Sequence, residues 1–158
     1  MAQIISVHSY RGGTGKSNIT ANLATLLATN GRRVGVVDTD IQSPGIHILF
    51  GLDESEMQHS LNDYLWGACH IKETAHDVTL RLGGEIAGRV FLIPSSMKAG
   101  DIARVLREGY DVGVLRDGFN ELIEALRLDI LVIDTHPGLN EETLLSIAIS
   151  DSLVIVLS

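Results

Sequence analysis

The feature that most constrains this chain is a run of eight residues, Tyr10-Arg11-Gly12-Gly13-Thr14-Gly15-Lys16-Ser17. It sits between a short apolar segment, Gln3 to His8, and a segment of helical period. In the latter, Ile19, Leu23, Leu26 and Leu27 recur at i, i+4, i+7 and i+8, which predicts an amphipathic helix over Lys16 to Asn30, stopped by Gly31. A strand, a glycine-rich loop and a helix in that order form a cradle for an anion. Gly12, Gly13 and Gly15 let the backbone wrap a β-phosphate and turn its N–H groups inward. The helix start adds the positive end of its dipole. Lys16 supplies a charge to the β- and γ-phosphates, and the Ser17 hydroxyl is suited to Mg²⁺. At average glycine usage such a run arises by accident with odds on the order of one in a few thousand. The correct flanking elements lower them further.

The same alternation continues along the chain. Arg33 to Asp38, Arg89 to Pro94, Asp129 to Asp134 and Ser152 to Leu157 read as strands, rich in Val and Ile and bounded by turn residues. Phe119, Leu122, Ile123 and Leu126 predict a helix over Val112 to Arg127, and Asn140 is the expected N-cap of a helix running to about Ser150. Strands that are apolar almost throughout are covered on both faces, as in a parallel sheet with helices on each side. The expected fold is therefore α/β, doubly wound, with a mostly parallel sheet. The stretch from Asp53 to Gly88 is less regular: a short helix is expected near Ser60 to Trp66 and a weak strand over Val78 to Leu82.

Composition sets the outer bounds. A chain of 158 residues with 45% hydrophobic residues has the size and content of one globular domain. Twelve Lys and Arg against 20 Asp and Glu give a net charge of −8, which excludes a chain-wide cationic field for nucleic acid or anionic lipid. The lone Cys69 excludes an intramolecular disulfide framework and fits a reducing compartment. No apolar run approaches the roughly 20 residues of a membrane span. The start of the chain lacks the pattern of a signal peptide, so the expected location is the cytoplasm.

Five motifs in order resemble the ParA/MinD family of P-loop ATPases, whose loop reads K-G-G-x-G-K-[ST]. They are Gly12 to Ser17, Asp38-Thr39-Asp40 after the second strand, Ile93-Pro94-Ser95-Ser96 after the third, Asp134-Thr135-His136-Pro137-Gly138 after the fourth, and Asp151 to Ile155 in the last. The resemblance covers essentially the whole chain and implies a P-loop NTPase fold with ATP and Mg²⁺ as ligands. Relatives continue past the last strand with segments that complete the adenine pocket. By resemblance, then, residues 1–158 form a single ATPase domain that is the N-terminal portion of a longer protein and lacks the family's C-terminal strands. ATP rather than GTP is implied by the resemblance alone.

The resemblance also distributes roles. Arg11, Gly12, Gly13, Thr14, Gly15, Lys16, Ser17 and Asn18 would hold the nucleotide; Ser17, Asp38 and Asp134 would serve the metal; Lys16, Asp40 and Arg11 would carry catalysis. Asp38 and Asp40 end an apolar strand, and strand carboxyl ends open onto the ligand crevice of such sheets. In the family, Asp40 would position the attacking water, Asp38 would support the metal through water, and Asp134 would hold it likewise. Tyr10 stands where the usual P-loop has its first glycine, so the loop is a deviant form. One departure from the family matters: Arg11 replaces the lysine that reaches a partner's phosphates across a dimer. Arg11 either keeps that role as an arginine finger or closes the loop against a local carboxylate. His136 reads more simply as a turn histidine than as a catalytic one. Cys69, His70 and His76 lack zinc spacing, Arg104, Arg107 and Arg116 read as a solvated helix face, and Tyr64 and Trp66 as packing residues.

The implied function is a slow switch ATPase that dimerises on ATP to position or partition cellular cargo. Its partners would be a second copy, an activating protein, and a membrane or nucleoid surface met through other segments. Three rivals accompany that expectation: a nucleotide-binding scaffold without turnover, a metal-centre assembly ATPase of the same superfamily, and a small-molecule kinase.

Overall fold

A computed structural model describes residues 2–13, 15–138 and 140–157. Six strands, β1 (Gln3–His8), β2 (Arg33–Asp38), β3 (His76–Asp77), β4 (Arg89–Ile93), β5 (Ile130–Asp134) and β6 (Ser152–Ile155), form one sheet in the order β3-β4-β2-β5-β1-β6. All neighbours pair in parallel except β3, which runs antiparallel to β4. Among the described residues, six α-helices accompany them: α1 (Lys16–Thr29), α2 (Ile46–Leu49), α3 (Leu61–Leu65), α4 (Ala99–Glu108), α5 (Val112–Ala125) and α6 (Glu141–Ile149).

The apolar runs of β2 and β5 are explained by their position. Alternate side chains point to opposite faces of a strand, and here both faces are covered. Ile130 and Val132 of β5 join Val34 and Val36 of β2 in a core layer completed by Ala21, Ala24 and Ala28 of α1 and Ile46 of α2. Leu131 and Ile133 join Val37 in the opposite layer, under Leu115, Phe119 and Leu122 of α5, Leu61 and Leu65 of α3 and Val105 of α4. Three alanines on one side of α1 let that helix lie close against the sheet. The helix ends at Thr29, one residue before the expected stop, where Gly31 and Arg32 donate their N–H groups back to Ala28 and Leu27. Asn140 caps α6 as expected, its side chain accepting from the Thr143 N–H at 2.8 Å.

The region from 53 to 88 departs from expectation. No strand forms over Val78 to Leu82; Thr79–Arg81 is a 3₁₀ turn, and the antiparallel strand is the two-residue β3 just before it. The cause is local. The Asp77 carboxylate accepts from both the Thr79 N–H, at 3.0 Å, and the Thr79 hydroxyl, at 2.6 Å, which curls the chain. The Thr79 hydroxyl oxygen then accepts the Val90 N–H at 2.9 Å, taking the place of a ladder bond. Arg104 and Arg107 lie on α4 and Arg116 on α5. Tyr64 donates to the Val114 carbonyl at 2.9 Å, and Arg104 stacks over Trp66 at 4.0 Å, so the two aromatics are packing residues.

Candidate functional site

Three neighbouring strands, β2, β5 and β1, deliver their carboxyl ends to one edge of the sheet. Asp38 lies opposite Asp134 in the β2–β5 register, and Asp134 lies opposite Val7 in the β1–β5 register. The loop after β1 turns into α1 with Gly13 at φ 73° and Gly15 at φ 84°, conformations that favour glycine. The Ser9 hydroxyl braces it by donating to the Arg11 carbonyl at 2.8 Å. The result is a cavity of about 520 Å³ at the start of α1. Gly12, Gly13, Gly15, Lys16, Ser17 and Asn18 line one side; Asp40, Ser43, His136 and Pro137 line the other. Thr14 lies outside the described residues.

Behind the cavity sits a buried charge cluster. The Lys16 ammonium is ion-paired with Asp134 Oδ1, both side chains being almost wholly buried. The Ser17 hydroxyl donates to Asp134 Oδ2 at 3.1 Å, and the Thr20 hydroxyl reaches Oδ1 at 3.3 Å while also bonding the Lys16 carbonyl at 2.9 Å. Burial raises the Asp134 carboxyl above its ordinary range, and Lys16 only partly offsets it. Thr20 is a member of this cluster that the sequence reading missed; its spacing of four from Lys16 on a helix was the available signal.

Asp38 does not line the cavity. It is fully buried, and its two oxygens accept the backbone N–H groups of Asp40, at 3.0 Å, and Gly45, at 3.3 Å. Its direct partners are therefore the loop after β2, which it clamps. Burial pushes its proton affinity well above the ordinary carboxylate range, and the nearby Asp134 and Asp40 push the same way.

The loops after β2 and β5 are joined. The Thr39 N–H and hydroxyl both donate to the Asp134 carbonyl, at 2.9 and 2.8 Å. Asp40 Oδ1 lies 2.6 Å from His136 Nδ1, a pairing across 96 positions of sequence. On the other side, the Thr135 hydroxyl donates to the Val7 carbonyl at 2.9 Å and meets His8 Nδ1 at 2.7 Å. His8 is buried beneath the loop, and burial first, then Lys16, lowers its pKa.

Arg11 is exposed and does not line the cavity. Among the described residues no carboxylate pairs with it. Tyr10 is exposed beside it, its ring edge-on to His8 at 5.2 Å. Among the described residues no group of three or more His, Cys, Asp or Glu is placed to hold a metal ion, and no helix is long and apolar enough to cross a membrane.

The cavity fits a Mg-nucleotide. A Cβ built at Gly12, Gly13 or Gly15 would meet no protein atom within 4 Å, so the loop leaves open space where phosphates need to approach. A buried ammonium and a hydroxyl stand at its floor. Comparison with known proteins decides the family: an AAA domain family matches residues 2–158, and an uncharacterized ATP-binding protein of Methanocaldococcus jannaschii is 32% identical over 160 residues, covering all of this chain and 53% of its own length. The chain belongs to the ParA/MinD family of P-loop ATPases. Another relative is a cytosolic Fe-S cluster assembly factor, CFD1, of Phaeosphaeria nodorum, 30% identical over 147 residues, with 88% of this chain and 48% of that protein covered. The fold is that of the septum site-determining protein MinD of Pyrococcus horikoshii, solved with Mg-ADP, at a TM-score of 0.79 and 24% identity over 99% of this chain and 58% of that one. The chain thus spans about half the length of the curated relatives it matches.

Proposed function

We propose that this chain is the nucleotide-binding part of a cytoplasmic switch ATPase that binds Mg-ATP, pairs with a second copy and releases it on hydrolysis. The observation that carries the reading is the convergence of Lys16, Ser17 and Asp40 on one cavity, with Asp134 directly behind Lys16 and Ser17. Backbone N–H groups of the 12–15 turn and the Lys16 ammonium would hold the phosphates, and Asn18 would line the same side. Ser17, backed by Asp134 and, through the loop it clamps, Asp38, would hold Mg²⁺, which when bound neutralises charge on the transferred phosphoryl group. Asp40 would orient the attacking water. Arg11, exposed and with no acid partner among the described residues, would meet phosphates of a second copy. The output proposed is positioning or partitioning of cargo, with an activating protein and any membrane or nucleoid contact supplied by other segments.

The kinship with an Fe-S assembly factor supports a second reading, assembly of a metal centre. Visible iron–sulfur absorbance in the purified full chain would favour it over the positioning switch.

The test of the switch is the mass of Asp40→Ala by light scattering after gel filtration, with Mg-ATP and with Mg-ADP, alongside phosphate release by the parent. Doubling of mass with ATP alone, and turnover in the parent that Asp40→Ala loses, is the expected result. ATP binding without turnover would make the chain a scaffold, and a persistent monomer in ATP would remove the dimer switch.

A further inference from the structure

The loop after β2 presents Asp40 to the nucleotide cavity, but the backbone does not by itself aim its carboxylate. The Asp40 N–H is held by Asp38 Oδ1 at 3.0 Å and the Asp40 carbonyl accepts from the Ser43 N–H at 3.2 Å, which fixes the main chain only. Two side-chain torsions remain, and the terminal one is broad for an aspartate. What fixes them is His136. Asp40 Oδ1 takes the Nδ1–H of His136 at 2.6 Å, while Oδ2 has no partner among the described residues. Both side chains are partly buried, and both residues line the cavity. An ionised carboxylate only accepts, so Nδ1 carries the proton in this pair.

His136 is in turn held from three directions. On its N-terminal side, Thr135 is tied to the Val7 carbonyl by its N–H at 3.2 Å and its hydroxyl at 2.9 Å. On its C-terminal side, the Gly138 N–H donates to the Ser9 carbonyl at 3.1 Å. Its own carbonyl accepts the Thr143 hydroxyl of α6 at 3.3 Å. The imidazole therefore hangs from a segment strapped to β1 and to Ser9, the strand and loop that launch Lys16. Through it, the Asp40 carboxylate is referenced to the frame that carries the phosphate-binding lysine, not to its own loop.

We propose that His136 is a positioning residue for hydrolysis: it occupies one oxygen of Asp40 and so leaves the other aimed for the attacking water. The inference rests on the hydrolytic reading of Asp40 above. A turn histidine with no such part would leave turnover untouched when removed, whereas a misplacement of about 1 Å in a catalytic group costs roughly 10²-fold.

The test measures phosphate release at saturating Mg-ATP and the affinity for a fluorescent ATP analogue in the full chain, for the parent, His136→Ala, His136→Asn, Asp40→Ala and the double Asp40→Ala/His136→Ala. We expect His136→Ala to lower kcat by about 10- to 100-fold with affinity within about twofold of the parent. Asn places an N–H donor where Nδ1 stands, so His136→Asn should recover to within about threefold of the parent. The double variant should be no slower than Asp40→Ala alone. Parental kcat in His136→Ala beside an inactive Asp40→Ala would overturn this inference and leave the hydrolytic reading standing. So would equal impairment of the Ala and Asn variants, or a loss confined to affinity. A parent that binds Mg-ATP without turnover would overturn both.

Discussion

Gly12 is informative because the fold does not require it. Gly13 and Gly15 sit at positive φ, where an L side chain is strained by roughly 1–2 kcal/mol. Gly12 does not, and a Cβ there would meet nothing in the protein within 4 Å. Its lack of a side chain leaves that space open to whatever enters the cavity that it lines. Gly12→Ala should leave the melting temperature of the ligand-free protein unchanged or raise it slightly, by the equivalent of about 0.4–1 kcal/mol, because the unfolded chain loses freedom. The same change should weaken Mg-ATP binding by about tenfold or more, since overpacking costs of order 1–3 kcal/mol. Paired thermal melts with and without Mg-ATP separate the two effects. An alanine that binds Mg-ATP like the parent would place the phosphates away from this loop.

Among the elements, those with their own signal were legible and those held by distant partners were not. Strands β1, β2 and β5 and helix α1 announce themselves through apolar period and stop residues. The span from 53 to 88 is organised instead by one device used three times. The carboxylates of Glu56, Asp63 and Glu73 each reach back three residues to the N–H of Asp53, Ser60 and His70, at 3.1, 2.9 and 2.7 Å. That spacing is visible in sequence as a capping box; the turn at Ser60 also carries enough apolar period for α3 to be expected, whereas the other two are too short for one. Helix α4 was obscured for a similar reason, since Val105 is its one buried side chain. At the site, the loop and the carboxylates were legible as motifs, but the contact of His136 with Asp40 depends on β2 and β5 being neighbours.

One of those turns also yields a prediction. Glu56 is ion-paired with Arg81, whose guanidinium also donates to the Gly51 carbonyl at 2.8 Å, tying the 3₁₀ turn Glu54–Glu56 to the one at Thr79–Arg81. The Arg81 hydrogen bond holds the Glu56 carboxyl down from its ordinary 4.5 to about 2. A depressed carboxylate pKa contributes stability above the unfolded value, and that contribution is lost as pH falls through the folded one. Arg81→Ala should therefore melt slightly below the parent at pH 7, with the difference closing between about pH 4.5 and pH 2. The pair is exposed, so the gap is small. A gap that persists unchanged at pH 2 would mean that Arg81 acts through Gly51 alone.

For the molecule as a whole, a sheet with both faces covered supports three loops on adjacent strand ends, so the site stands directly on the core. A ligand at 100 times its dissociation constant stabilises a folded chain by about 2.7 kcal/mol, or roughly 5–10 °C in a domain of this size. Mg-ATP should give a shift of that order, larger than the sum of the shifts from Mg²⁺ alone and from ATP with a chelator. Simple additivity of the two would show that metal and phosphate are received independently.

The reason for expecting more than a sum is the pairing of Lys16 with Asp134. Without ligand, each satisfies the other in a place where an unpartnered charge costs about 3–5 kcal/mol. A cation that drew Asp134 away would strand the ammonium, and a phosphate that drew Lys16 away would strand the carboxylate. A metal and a phosphate arriving together would give each of the two groups a new partner of opposite charge. On the Mg-ATP reading proposed above, the ion pair would work as a coincidence gate, shut to free magnesium and to free anions separately and open to their complex.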